Sequence, residues 1–124
     1  MDLDKTLYKI CPNLYKICPK EDWEIAEKNG VFIGYGIDLI DKFIHFSTSK
    51  QVKETARLHF NGVKNLLLIK VKSDNLNIKW EISRNGQLFP HLYNKLLLTD
   101  VLSVYNLELD DNNHHIFPSE LDDR

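Results

Sequence analysis

Apolar and polar positions alternate most regularly in the second half of the chain. Asn65 to Lys72 (NLLLIKVK) reads as its strongest strand. After the turn residues Ser73-Asp74-Asn75, Ile78 to Ser83 (IKWEIS) alternates as another, and Asn85-Gly86 is a tight-turn pair. Leu88 to Leu97 carries Phe89-Pro90-His91-Leu92-Tyr93, and Val101 to Leu109 (VLSVYNLEL) alternates as a late strand. In the first half, Phe43 to Ser47 reads as a short strand. Thr48-Ser49-Lys50-Gln51 has the capping-box pattern, with Thr48 as N-cap and Gln51 reaching back. Val52, Ala56, Leu58, His59 and Phe60 then form the buried stripe of a helix that Asn61-Gly62 ends. Gly30 to Asp41 is a glycine-punctuated connection. Two helices early and several strands late predict an α+β domain with a mainly antiparallel sheet.

The hexapeptide Leu-Tyr-Lys-Ile-Cys-Pro occurs twice near the start, and only one copy fits this plan. A heptad reading fails because Pro12 and Pro19 would each break a helix, at about 3 kcal/mol apiece. The pentapeptide before each proline instead has the aromatic and branched content of a strand. Only the second copy runs directly into a helix signal: Pro19 at the entry, Glu21 and Asp22 in the first turn, Gly30 as terminator. Trp23, Ile25 and Ala26 supply that helix's apolar side. Using the first copy as the strand would strand Leu14, Tyr15 and Ile17 in an exposed loop. Residues 1–13 are therefore expected to be a dispensable extension, residues 14–118 a single domain, and residues 119–124 a flexible tail.

Composition narrows the picture only slightly. A chain of 124 residues buries a real core, and a net charge of −2 with pI near 6.2 gives no global nucleic-acid signal. No apolar run reaches the length of a membrane span, and the acidic opening Met1-Asp2-Leu3-Asp4 lacks the apolar core of a secretory signal. Cys11 and Cys18 form neither a CxxC pair nor a disulfide framework, and Cys18 before proline reads as a small buried hydrophobe. A cytoplasmic protein without a membrane partner is expected.

The candidate chemistry gathers around three segments. Strand alternation puts His45 and Ser47 on the face opposite Ile44 and Phe46, hence toward a cleft, beside a helix start at Thr48 whose amides favour an anion. The competing reading makes His45 a link to a neighbouring carbonyl. Trp80 could stack a base, Glu81 accept from a ribose hydroxyl and Arg84 clamp a phosphate; the alternative is a core tryptophan with a surface Glu-Arg pair. His91 and Tyr93 share a face, with Pro90 fixing the approach to His91. His45, Glu81 and His91 are thus the candidate catalytic residues, and Ser47, Thr48, Trp80, Arg84 and Tyr93 the candidate ligand-binding ones. No histidine pair has metal-ligand spacing.

Several segments together resemble a bacterial family catalogued as domain of unknown function 952. They are Tyr15-Lys16-Ile17-Cys18-Pro19 with Trp23; Asp38-Leu39 with Phe43 to Thr48; Lys79-Trp80-Glu81 with Ser83-Arg84; Leu88 to Tyr93; and His115-Ile116-Phe117-Pro118. The resemblance implies the compact split antiparallel sheet of the ADP-ribosyltransferases. The element order is also similar to that of the RNA 2′-phosphotransferases, which use NAD. Their His-Leu-Ser motif is matched by His45-Phe46-Ser47, and their Arg-x-His-Gly motif in part by Arg57-Leu58-His59. Where they carry a first-strand histidine, this chain has Tyr15-Lys16-Ile17. The resemblance implies transfer chemistry on, or binding of, NAD, a nucleotide or a phosphorylated RNA end. The alternative is a non-catalytic module that binds a nucleotide or anion.

Overall fold

The computed structural model describes residues 11–121. Within them the chain is an α+β domain of three antiparallel sheets and three helices. The second hexapeptide copy forms strand β1, Asn13–Pro19. It pairs along its whole length with β5, Leu66–Lys72, from Asn13 opposite Lys72 to Pro19 opposite Leu66. Most of the first copy, Leu7 to Ile10, lies outside the described residues. Helix α1, Lys20–Asn29, starts directly after Pro19 and stops at Gly30, whose φ of 77° lets its N–H reach the Ala26 carbonyl at 2.8 Å. The glycine-punctuated connection contains a two-residue strand β2, Val31–Phe32, and a short helix α2, Ile37–Asp41. Strands β3, Ile44–His45, and β4, Ser47–Thr48, lead to helix α3, Val52–His59. Strands β6, Ile78–Ile82, and β7, Leu88–Leu92, form a hairpin turned by Asn85 and Gly86, both at positive φ. Strands β8, Leu96–Leu97, and β9, Val101–Leu107, close the order.

The main sheet runs β4-β1-β5-β9, a second runs β3-β7-β6, and β2 pairs with β8. The segment from Ile44 to Thr48 belongs to two of them. β3 pairs with β7, β4 pairs with β1, and between them the Phe46 N–H bonds the Pro90 carbonyl at 3.0 Å. The expected five-residue strand is thus two short ones at the split between sheets. Ile44 and Phe46 face the core as the alternation predicts.

Both faces of the main sheet are covered. Leu14, Cys18, Leu67, Ile69 and Val71 pack on one side with Trp23 and Ala26 of α1, Phe32 and Phe46. Tyr15, Ile17, Leu66 and Leu68 pack on the other with Val52 and Ala56 of α3 and with Leu107. Each large side chain sealed this way contributes about 1.5–3 kcal/mol. Cys18 is the small buried hydrophobe expected, its thiol pushed up to about 12 by burial.

Lys16 interrupts the first of these faces, since strand periodicity sets it with Leu14 and Cys18. A buried ammonium needs a counter-charge, and Asp38 of α2 supplies one at 2.7 Å. Asp38 is fully buried and bound on every side. His45 Nδ1 lies 2.6 Å and the His45 N–H 3.1 Å from one carboxylate oxygen, and the Tyr35 N–H 3.2 Å from the other. Burial pushes the Asp38 carboxyl up, but the bonds from His45 and Lys16 outweigh it and hold it below the usual range. Burial pulls Lys16 below the usual lysine range against the opposing pull of Asp38. With the ammonium 2.7 Å from the carboxylate, the pair is ionic. This cluster joins the main sheet to the β3 edge of the second sheet. Gly34 makes room for it: at φ of 99° a Cβ there would lie 2.6 Å from the Asp38 Cβ.

Several expectations need correction. Thr48 is not the N-cap of α3. It sits in β4 opposite Leu14, and the helix begins after Gln51 because sheet pairing holds Thr48 extended. Gln51 does reach back, its Oε1 accepting from the Thr48 N–H at 3.1 Å. Ile25 and Leu58 are exposed, since Trp23 with Ala26 and Val52 with Ala56 define the buried stripes and residues two positions away point elsewhere. Residues beyond both expected edges of the domain also make contacts with it. The carbonyls of Cys11 and Pro12 accept from the buried Ser73 hydroxyl and N–H at 2.9 and 2.8 Å. Ser119–Leu121 forms a 3-10 turn with Leu121 in the core, so order extends beyond Pro118; residues 122–124 lie outside the described residues. Glu120 accepts from Tyr15 Oη at 3.2 Å, from Lys70 Nζ at 2.6 Å and from the Tyr105 hydroxyl. His115 Nε2 lies 2.8 Å from the Val63 carbonyl.

Two stability measurements follow. Asp38→Asn should cost about 3–5 kcal/mol in urea unfolding by leaving Lys16 buried and unpaired, and adding Lys16→Met should recover most of it. Because Asp38 is depressed in the fold, its contribution is present above about pH 4 and lost as pH falls through the folded value, so the wild-type acid-side decline should be shallower in Asp38→Asn. Separately, truncation after Pro118 should cost about 2–4 kcal/mol through the loss of Leu121 and Glu120. An unchanged urea midpoint would show that the C-terminal turn contributes nothing.

Candidate binding cleft

A cleft of about 420 Å³ opens where the main sheet and the second sheet part. Its floor is Tyr15, Lys16 and Ile17 of β1 with Phe46 at the crossing between sheets. Asp38 and Asp41 of α2 stand on one wall, Thr55 and His59 of α3 on another, and Arg84, Phe89 and His91 of the β6–β7 hairpin on a third. His45 and Ser47 line it as the alternation predicts.

His45 is only partly buried and lies between two carboxylates, with Nδ1 at 2.6 Å from Asp38 and Nε2 at 3.1 Å from Asp41. Its partners are carboxylates and not the backbone carbonyl of the competing reading. The Ser47 hydroxyl lies 3.1 Å from that of Thr55, whose own hydroxyl donates to the Gln51 carbonyl.

His91 sits directly opposite His45 in the β3–β7 ladder, with ring centroids 5.2 Å apart. It is 95 % removed from solvent, and its Nδ1 lies 2.8 Å from Glu81 Oε1. The same Glu81 oxygen accepts from Tyr93 Oη at 2.7 Å. Those hydrogen bonds, from Tyr93 first and His91 second, hold the Glu81 carboxyl below its usual range. Burial pulls the His91 imidazole below the usual histidine range despite the opposing effect of Glu81. Phe43 packs on His45, His91 and Tyr93, with centroids 4.4, 4.2 and 4.9 Å away.

Arg84 enters from the hairpin turn. Its guanidinium lies 4.9 Å above the Phe89 ring, and Nη1 is 3.4 Å from the Thr55 hydroxyl. No carboxylate pairs with it among the described residues.

The cleft therefore unites His45, Ser47, Arg84 and His91 directly, and Glu81 and Tyr93 through His91. It does not include Thr48 or Trp80. Trp80 packs against the core beside the second sheet, so the core-tryptophan reading describes it, although Glu81 pairs with His91 and Tyr93 and not with Arg84. Sequence reasoning assigned no role to Lys16, Asp38 or Asp41. One signal was available: a lysine on the apolar face of a strand demands a buried acid somewhere in the chain.

The fold is similar to the crystal structure of protein CC0527 from Caulobacter crescentus, with a TM-score of 0.83 and 40% identity over 88% of this chain and 97% of that one. The crystal structure of a double mutant of that protein matches at 39% identity with the same TM-score of 0.83 and the same coverage, 88% and 97%. Its solution NMR structure matches with a TM-score of 0.75 and 41% identity over 82% of this chain and 90% of that one. No curated protein matches the chain. No described helix is long and apolar enough to cross a membrane. A family model matches residues 17–104, which carry the end of β1 and the cleft-lining residues from Ile17 through His91, and on that match the chain belongs to the family described as protein of unknown function (DUF952).

Proposed function

We propose that the cleft binds a small phosphorylated ligand of the nucleotide class, in an ADP-ribosyltransferase-like arrangement. The observation that carries this reading is Arg84. It brings into an aromatic-walled cleft a permanent positive charge with no described carboxylate at ion-pair distance, and its planar fork matches a phosphate. Of the other charged groups in the cleft, Lys16 is paired with Asp38, and Asp41 lies 3.1 Å from His45 Nε2. Phe89 and Tyr35 also line the cleft, carrying Arg84 and Lys16 over their rings, and give it apolar surface for the rest of the ligand.

A second reading, transfer chemistry on NAD or a phosphorylated RNA end, draws on the two histidines that face each other with carboxylates behind them. A fixed imidazole is the usual means of moving a proton at neutral pH. By the resemblance, Tyr15-Lys16-Ile17 stands where those transferases carry the first-strand histidine, and Lys16 is committed to Asp38, which favours binding over turnover.

Calorimetric titration with AMP, NAD, ADP-ribose and a 2′-phosphorylated oligoribonucleotide tests both readings. Arg84→Ala should weaken the phosphorylated ligand by roughly tenfold or more while leaving adenosine unaffected, and should barely move the urea midpoint. Equal affinity of wild type and variant for AMP would remove the phosphate assignment. Release of nicotinamide from NAD, measured in the same samples, would promote the second reading over the first.

A further inference from the structure

The His91 imidazole is deeply buried, yet only one of its nitrogens is used. Nδ1 is 2.8 Å from a Glu81 oxygen, and an ionised carboxylate only accepts, so the proton of that bond belongs to His91. Tyr93 holds the same Glu81 oxygen, which prevents the carboxylate from turning away. A neutral ring that carries its proton on Nδ1 has a bare lone pair on Nε2. Among the described residues Nε2 has no hydrogen-bond partner, and it is not among the sealed polar atoms, although the ring is 95 % removed from solvent and lines the cleft. Burial, which pulls His91 below the usual histidine range, keeps that lone pair available at neutral pH.

We infer that His91 Nε2 is a specificity-determining acceptor that reads a sugar hydroxyl of the ligand whose phosphate Arg84 holds. The spacing supports this. Arg84 lies over Phe89, and His91 follows Phe89 on the same face of β7, about 7 Å further along the strand. A ribose 5-phosphate unit spans a length of that order, with phosphate at one end and the ring's 2′- and 3′-hydroxyls at the other. A buried acceptor left empty disfavours any analogue that lacks the donor.

The inference rests on the phosphate reading above, and the test separates the two. AMP and 2′,3′-dideoxyadenosine 5′-monophosphate are titrated into the full chain, with the ¹⁵N resonance of His91 Nε2 followed in parallel. AMP should bind roughly tenfold tighter than the dideoxy analogue. AMP should also move the Nε2 resonance, and the analogue should not. In His91→Phe the preference should vanish while inorganic phosphate still competes; the two wild-type titrations decide the matter even where that variant folds poorly. Equal affinities, or an unmoved Nε2 resonance with AMP bound, would overturn the hydroxyl reading and leave the phosphate reading standing. Binding of neither nucleotide would overturn both.

Discussion

A single carboxylate, Asp38, holds the two halves of this molecule in register. It is reached from β1 by Lys16, from the loop before α2 by the Tyr35 N–H, and from β3 by both the backbone and the ring of His45. Breaking any one contact leaves a buried charge or donor unpaired, which costs more than the intact contact contributes. The cleft floor and one wall are thereby fixed by the same interaction, so the geometry of the site is a property of the core.

That arrangement explains the short strands around Phe46. A continuous strand from Phe43 to Thr48 would have kept the β3 and β4 partners in one sheet and closed the space between them. The chain instead changes partner at Phe46, burying its ring and handing its N–H to Pro90. The opening that remains is where His45, Arg84 and His91 face each other.

The elements governed by local chemistry were legible in the sequence. Pro19 and Gly30 bracket α1, Asn85-Gly86 turns the hairpin, and the second hexapeptide copy is β1. His45 and Ser47 reached the cleft by alternation alone, and Arg84 and His91 join them there. What escaped depends on long-range pairing. Thr48 looked like a cap because Thr-x-x-Gln is a local signature, but its extended backbone is set by Leu14, far away in sequence. Asp38 looked like one polar residue in a glycine-rich connection, and only the three-dimensional approach of Lys16 gives it a role. Trp80 offered the same ambiguity, and its burial against the core resolves it.

The Glu120 clamp has a consequence for kinetics. It ties Tyr15 of β1 to a residue 105 positions later, with Lys70 of β5 and Tyr105 of β9 in the same grip. Contacts of such separation are expected to form late, because their loop closure comes cheaply only once most of the domain is in place. Interactions absent from the folding transition state act mainly on the reverse rate. The clamp therefore works as a latch: it does little to hasten assembly, and it lengthens the lifetime of the assembled domain.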